Sequence, residues 1–383
     1  MNFQDEKWMK QALKLAEKGR PWTSPNPLVG AVLVRNNRLI SQGYHTAFGA
    51  PHAEMAAIRK AGNRSKGSTL YVTLEPCCTY GKTPPCTESI KRAGIKRVVV
   101  GAADPNPIHC GRGIRLLQKN KIAVTQGILK DQALHQNEAF VKWVTKRIPF
   151  VILKMAQSLD GKIASRTGNS RWISGRPARQ WVHHLRSKVD AILIGKNTLL
   201  KDDPRLSVRN GAARSLSPIV ATWPQLNGQN NKTKSPWRII LDPRGECSRS
   251  AKIFKQTGPI ILACSERFTN KVAKKFSDED ITILPLKEKR GRLNLKQLLS
   301  SLGLLGITSL LVEGGGELAG SFIEQNLVDQ VKWILAPKIV GGRTAKTSVE
   351  GTGTDLLSGA TKIKSIRMSR LGEDFLFEGY VNS

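Results

Sequence analysis

The stretch "VTLEPCCTYGKTPPCTES", Val72–Ser89, decides how this chain is read. It holds three of the six cysteines, Cys77, Cys78 and Cys86, beside prolines. No two of these thiols form a C-x-x-C pair. "STLYVTL" (Ser68–Leu74) reads as a strand, so "EPC" sets a cysteine at a strand end. "PPC" sets another at the start of a helix, Thr87–Ala93, where the helix dipole favours a thiolate. Upstream, "PHAE" (Pro51–Glu54) opens a helix after a turn. His52 and Glu54 are two residues apart, so one can ligate a metal while the other stands beside it without ligating.

One histidine and two cysteines make three zinc ligands. They leave the fourth tetrahedral position open, the pattern of a catalytic site and not of a structural one. Glu54 is then placed to carry a proton. This is the layout of zinc-dependent nucleobase deaminases: H-x-E, then P-C, then a second cysteine. The departure is the spacer, eight residues (78–85) between Cys77 and Cys86 where the general pattern has two. Spacing alone does not choose Cys77 over Cys78 as the ligand.

Helices and strands alternate around this stretch. Asp5–Gly19 reads as an amphipathic helix ended by glycine. Leu28–Val34 and Arg38–Tyr44 read as a hairpin across Arg35-Asn36-Asn37. Ala53–Ala61 and Gly111–Asn120 read as helices, "KRVVVGA" and "IAVTQG" as strands, and Asp131–Thr145 as one longer helix. The organisation breaks near "TKRIPF" (Thr145–Phe150). Beyond it, "FVILKMA", "AILIG", "WRIILD", "PIILAC", "ITILPL" and "SLLVEGGG" are strands, with helices at Pro177–Ser187 and Leu295–Gly303. The polar segment Asn210–Pro236 reads as a loop insertion. The expectation is two α/β domains, 1–146 and 147–383, each a sheet with helices on its faces.

Composition bounds the function. Hydrophobic residues are 40% and charged residues 23% of 383, the balance of a globular chain. No stretch nears about 18 consecutive apolar residues, so no membrane span is expected. The amphipathic N-terminus carries Asp5, Glu6 and Glu17 and is read as part of the mature fold, with a cytoplasmic location expected. Six cysteines in a chain of this length are no disulfide framework. The net charge of +32 is spread over both halves, 23 basic against 9 acidic residues up to 146 and 38 against 20 beyond. Such a charge suggests nucleic acid. Yet aromatic residues are 6%, and no basic run interleaves with them as a stacking platform requires, so no nucleic-acid partner is expected.

In the second half, "LVEGGGELAGSFIEQ" (Leu311–Gln325) is an apolar strand, a glycine turn and a helix. Such a junction brings phosphate to backbone N–H groups at a helix start, and Glu313 would end the strand in the crevice. His183 and His184 are adjacent on a helix and point about 100° apart, so they do not share a metal. They read as a partly exposed helical face.

Four stretches of the first half, "SPNPLVGAVLV", "GYHTAFGAPHAE", "TLEPC" and "GKTPPC", resemble the bifunctional deaminase/reductase family of riboflavin biosynthesis. "LKMAQSLDGKIA", "SRWISG", "LLKDDPRLSVR" and "VEGGGELAG" extend the resemblance through the second half. It implies a cytidine-deaminase-like α/β/α domain followed by a dihydrofolate-reductase-like α/β domain. It implies one zinc per chain on His52, Cys77 and Cys86, with Glu54 catalytic and Cys78 a bystander. Asn26, His45 and Lys82 would line the deaminase substrate site. Thr79 stands where the family usually carries histidine. In the second domain, Ala156, Trp172, Thr198, Asp202, Gly315, Gly316, Glu317, Leu318, Ala319, Gly320 and Ser321 would contact NADPH. Ser170, Arg186, Leu206, Arg209 and Glu313 would contact the ribose-phosphate substrate, with Lys154 beside the chemistry. Alignment of "DDP" prefers Asp202 over Asp203. The implied substrate is a phosphoribosylaminopyrimidine, and a homo-oligomer, dimer or tetramer, is expected. The competing readings are a deaminase whose second domain is degenerate, and a deaminase of nucleic acid.

Overall fold

The computed structural model describes residues 3–80, 84–208, 235–277, 281–289 and 291–381. They divide into two compact units, one ending at Arg147 and the other beginning at Ile148.

The first unit runs α1 (Phe3–Ala16), β1 (Gly30–Arg35), β2 (Arg38–Tyr44), α2 (Ala53–Ala61), β3 (Thr69–Leu74), α3 (Cys86–Arg92), β4 (Arg97–Ala102), α4 (Arg112–Lys119), β5 (Ala123–Gln126), α5 (Lys130–Gln136) and α6 (Glu138–Lys146). The sheet order is β2-β1-β3-β4-β5. β1 pairs antiparallel with β2 and β3, and β3-β4-β5 are parallel. Side chains alternate across the sheet, as strand geometry requires. Ala31, Leu33, Leu70, Val72, Val98 and Val100 pack on α2, α3 and α4. Their neighbours Val32, Val34, Tyr71 and Val99 pack on α1 and α5. This is the α/β/α sandwich expected.

One element differs from the sequence reading. Asp131–Thr145 is two helices, α5 and α6, meeting at Asn137. The Asn137 side chain accepts from Leu28 N at 2.7 Å and donates to Leu28 O at 3.0 Å. That buried tertiary pairing breaks the helix, and helical periodicity carries no sign of it.

The second unit contains β6 (Phe150–Ser158), α7 (Arg176–Arg186), β7 (Ala191–Gly195), α8 (Lys196–Asp202), β8 (Trp237–Leu241), β9 (Ile260–Ser265), α9 (Thr269–Lys275), β10 (Ile281–Leu286), a short pair β11 (Glu288–Lys289) and β12 (Arg292–Leu293), α10 (Leu295–Leu304), β13 (Ser309–Glu313), α11 (Gly316–Glu324), β14 (Gln330–Ala336), β15 (Ile363–Leu371) and β16 (Asp374–Val381). The main sheet is β10-β9-β8-β7-β13-β6-β14-β16-β15. It is parallel from β10 to β14, and β14-β16-β15 are antiparallel. The run from β14 onward went unread in the sequence. Most of the Asn210–Pro236 loop expectation lies outside the described residues.

β6, β7 and β13 lie side by side at the middle of this sheet, and their apolar residues form the core with α10 and α11. A crevice outside the carboxyl ends of parallel strands is where ligands bind in such folds.

Candidate catalytic centres

In the first unit, His52 precedes α2 in extended conformation, and Glu54 sits in that helix's first turn. Cys77 follows β3 by three residues, and Cys86 begins α3. His52 Nδ1 lies 3.5 Å from Cys77 Sγ and 3.3 Å from Cys86 Sγ. All three ligand atoms fall within 4.8 Å of one another. The Cys86 backbone N–H donates to Cys77 Sγ at 3.3 Å, so the helix start stabilises a thiolate there. The Cys77 thiol is pulled down to about 4, chiefly by the hydrogen bond with Cys86 and also by His52. This donor set fits zinc, with two sulfurs and one imidazole nitrogen converging from three elements. Cys78 is half-buried and outside the cluster.

Glu54 is buried beside the ligands, and burial pushes its carboxyl up to about 7. A carboxyl titrating near neutrality can both take and give a proton. His45 is buried, its Nε2 3.2 Å from Asn26 Nδ2 and its Nδ1 3.2 Å from Pro51 O. Its ring meets that of His52 edge-on at 5.4 Å. Asn26, His45, His52 and Glu54 thus form one connected wall. Lys82 lies outside the described residues, and Thr79 is exposed.

Glu75 was not singled out in the sequence. It is buried directly after β3, and its carboxylate accepts from the backbone N–H groups of Asp104, Gly111 and Ile114 at 3.1, 2.9 and 3.1 Å. It therefore ties the Glu75-Pro76-Cys77 turn to the start of α4. A Cβ on Gly113 would lie 2.1 Å from Pro76 O, so the same turn also needs glycine there. The available signal was an acid directly after an apolar strand.

In the second unit, a cavity of about 1030 Å³ opens at the carboxyl ends of β6, β7 and β13. Glu313 ends β13 and lies opposite Lys154 in the parallel register. Arg186, the last residue of α7, donates Nε–H to Glu313 Oε1 at 2.6 Å and Nη2–H to Oε2 at 2.9 Å. Lys154 Nζ stands 3.8 Å from Oε2. Burial would raise the Glu313 carboxyl, but the Arg186 charge and hydrogen bonds, with smaller help from Lys154 and His183, together outweigh it and bring the group to about 2. Burial, against the pull of Glu313 and with some help from the Arg186 charge, pushes the Lys154 ammonium down.

Of the expected dinucleotide contacts, Ala156, Trp172, Thr198, Asp202, Gly315, Gly316, Glu317, Leu318 and Ser321 line the cavity. Ala319 and Gly320 turn the other way. Ala319 is in the core, and a Cβ on Gly320 would lie 1.7 Å from Glu350 O. The Gly314–Gly316 turn precedes α11, whose first backbone N–H groups suit a phosphate. Ser170 and Leu206 also line the cavity, with Ser170 Oγ donating to Asp202 Oδ1 at 3.2 Å. Asp203 instead pairs with Lys252 at 3.0 Å. Arg209 lies outside the described residues.

His183 and His184 form the partly exposed helical face expected, and the structure adds that His183 faces the cavity. His183 is half-buried, whereas His184 is exposed. The signal was the spacing of His183, three residues before Arg186 and four after Arg179, which also line the cavity.

Comparison with known proteins agrees with both halves. The cytidine and deoxycytidylate deaminase zinc-binding region matches residues 2–102, and the RibD C-terminal domain matches residues 149–377. The riboflavin biosynthesis protein RibD of Aquifex aeolicus is 40% identical over 373 residues, 97% of each chain. That of Escherichia coli is 37% identical, covering 97% of this chain and 98% of its own. The solved structure of Acinetobacter baumannii RibD superposes with a TM-score of 0.85 at 34% identity, over 99% of both chains. A diaminohydroxyphosphoribosylaminopyrimidine deaminase/5-amino-6-(5-phosphoribosylamino)uracil reductase of Thermotoga maritima gives 0.83 at 34% identity, again over 99% of both chains. Motifs, fold and near-full-length similarity all lead to one assignment, and the chain belongs to the RibD family of riboflavin biosynthesis proteins.

Proposed function

We propose that this chain performs two consecutive reactions on one substrate. Residues 1–146 deaminate 2,5-diamino-6-(5-phosphoribosylamino)pyrimidin-4-one. Residues 147–383 then reduce the ribosyl group of 5-amino-6-(5-phosphoribosylamino)uracil to ribityl with NADPH. The observation that carries this reading is the presence, in one chain, of a His-Cys-Cys cluster with a buried acid and a separate cavity with a buried Arg-Glu-Lys group.

His52, Cys77 and Cys86 would hold the zinc. When bound, zinc supplies an activated water at neutral pH. Glu54 relays a proton from the attacking water to the exocyclic amine, which leaves as ammonia. Asn26 and His45 present hydrogen-bonding groups to the pyrimidine edge, and Lys82 would meet the ribose phosphate. In the second unit, the Gly314–Gly316 turn and Ser321 receive dinucleotide phosphate, with Thr198 and Asp202 across the cavity. Lys154, Ser170 and Glu313 orient the ribosyl group. Arg186 has committed Nε and Nη2 to Glu313, so it contributes to phosphate binding only through its remaining N–H groups.

A homo-oligomer, dimer or tetramer, is supported by β15. It is the edge strand of the nine-stranded sheet, and Ile366 and Met368 are 61% and 63% exposed on it. Two exposed apolar side chains on an unpaired strand edge suit a covering partner, although Lys364, Arg367 and Arg370 lie among them. Six free thiols support a reducing, cytoplasmic location. Among the described residues, no helix is long and apolar enough to cross a membrane.

The test is ammonia release from the free pyrimidine nucleotide and from tRNA. Release from the nucleotide alone is expected. Release from tRNA alone would contradict the reading.

A further inference from the structure

The reduction needs a proton as well as a hydride. Opening the sugar breaks the C1′–O4′ bond, and O4′ must be protonated to become a hydroxyl. Glu313 is held ionised by Arg186, and a guanidinium does not release its protons. Asp202 accepts the Ser170 hydroxyl. Lys154 is bound to the Glu313 charge across the β6–β13 register.

His183 is differently placed. It lies on the cavity face of α7, and its Nδ1 is 3.2 Å from Ser207 O. A carbonyl oxygen only accepts, so Nδ1 carries hydrogen and the backbone fixes the ring. In the imidazolium form, the second N–H is then on Nε2, across the ring from Ser207. The Glu313 carboxyl is lowered in part by His183, which places the imidazole within electrostatic reach of the Arg186–Glu313 pair. The charged groups lining the cavity on the elements around it are Arg179 and Arg186 from α7, Lys154 from β6, Glu313 from β13, and Asp202, Asp203 and Arg205 from the segment leading to Ser207.

We propose that His183 contacts the ribosyl group and protonates its ring oxygen as the sugar opens. The C1′–O4′ bond breaks with its electron pair on O4′, which takes the proton from Nε2. C1′ takes the hydride that bound NADPH would supply on becoming NADP⁺, the bond from C1′ to the pyrimidine amine is kept, and His183 regains a proton from water. This inference rests on the reductase reading above.

The test compares the full-length zinc-loaded chain with His183→Gln. NADPH oxidation on the deaminated nucleotide is followed across pH, NADPH binding by fluorescence, and the histidine side chains by NMR with ribose 5-phosphate and no nicotinamide present. His183→Gln should bind NADPH normally and lose about 100-fold or more in kcat. A general acid must be protonated, so the parent kcat should fall as pH rises, and that limb should be gone from the variant. One imidazole signal, missing in His183→Gln, should move when ribose 5-phosphate is added. A kcat within about twofold of the parent, a surviving pH limb, lost NADPH binding or an unmoved imidazole signal would each overturn the proposal. A parent chain that oxidises no NADPH would instead overturn the reductase reading.

Discussion

Arg186 grips Glu313 with two parallel hydrogen bonds, Nε to Oε1 and Nη2 to Oε2, in the lining of the second unit's cavity. The two residues come from α7 and β13, 127 positions apart in the chain. Both side chains are largely buried, so the pair is screened little by solvent. Its geometry fixes a negative charge at the carboxyl end of β13.

That charge makes acid stability a readout. The folded Glu313 carboxyl, at about 2, lies below its unfolded value of about 4.3. Its contribution is therefore fully present above about pH 4.3 and is lost as pH falls toward about 2. The thermal midpoint of the second unit should drop through that window in calorimetry. A Glu313→Gln variant should show a flatter dependence there.

Removing only the cation should be costly. Arg186→Met leaves ionised Glu313 without its hydrogen-bonded cation, with only the weaker influence of Lys154 and His183, and breaking a buried pair typically costs about 3–5 kcal/mol. The double variant Arg186→Met/Glu313→Leu should recover much of that loss in denaturant titrations. Equal instability of single and double variants would contradict this account of the pair.

The thiol assignment gives a direct contrast. Cys77→Ser should lose zinc and deamination while NADPH oxidation persists. Cys78→Ser should keep its zinc, because its side chain stands outside the His52–Cys77–Cys86 cluster. Metal content by elemental analysis decides between them.

Glu75 should matter through Cys77. Glu75→Ala removes the acceptor of three backbone N–H groups. Each buried donor left unsatisfied costs about 1–3 kcal/mol. The first unit should melt earlier and release zinc faster to a chelator, with NADPH oxidation by the second unit unaffected.

The two-domain α/β organisation was legible because alternating apolar strands and amphipathic helices survive in local sequence. So was the cluster of His52, Cys77 and Cys86, because each ligand sits in a short motif at an element boundary. β15 was not legible. "IKSIRMSRL" alternates weakly, and almost every residue in it is exposed. The break at Asn137, the anchoring by Glu75 and the inward turn of His183 depend on partners 29 to 109 residues away or on one helical face. Such tertiary pairings leave little trace in periodicity. The net charge of +32 has no structural explanation beyond the phosphates of substrate and dinucleotide.

The central claim is that one chain runs both reactions in order. The deciding measurement supplies the zinc-loaded chain with the diaminopyrimidinone ribosylamino phosphate and NADPH, and follows ammonia and NADPH together. The account predicts equal yields, with NADPH oxidation lagging ammonia release. Glu54→Gln should abolish both on this substrate yet still oxidise NADPH when given the deaminated intermediate. Ammonia release with no NADPH oxidation on either substrate would contradict the account and leave the second domain without its reaction.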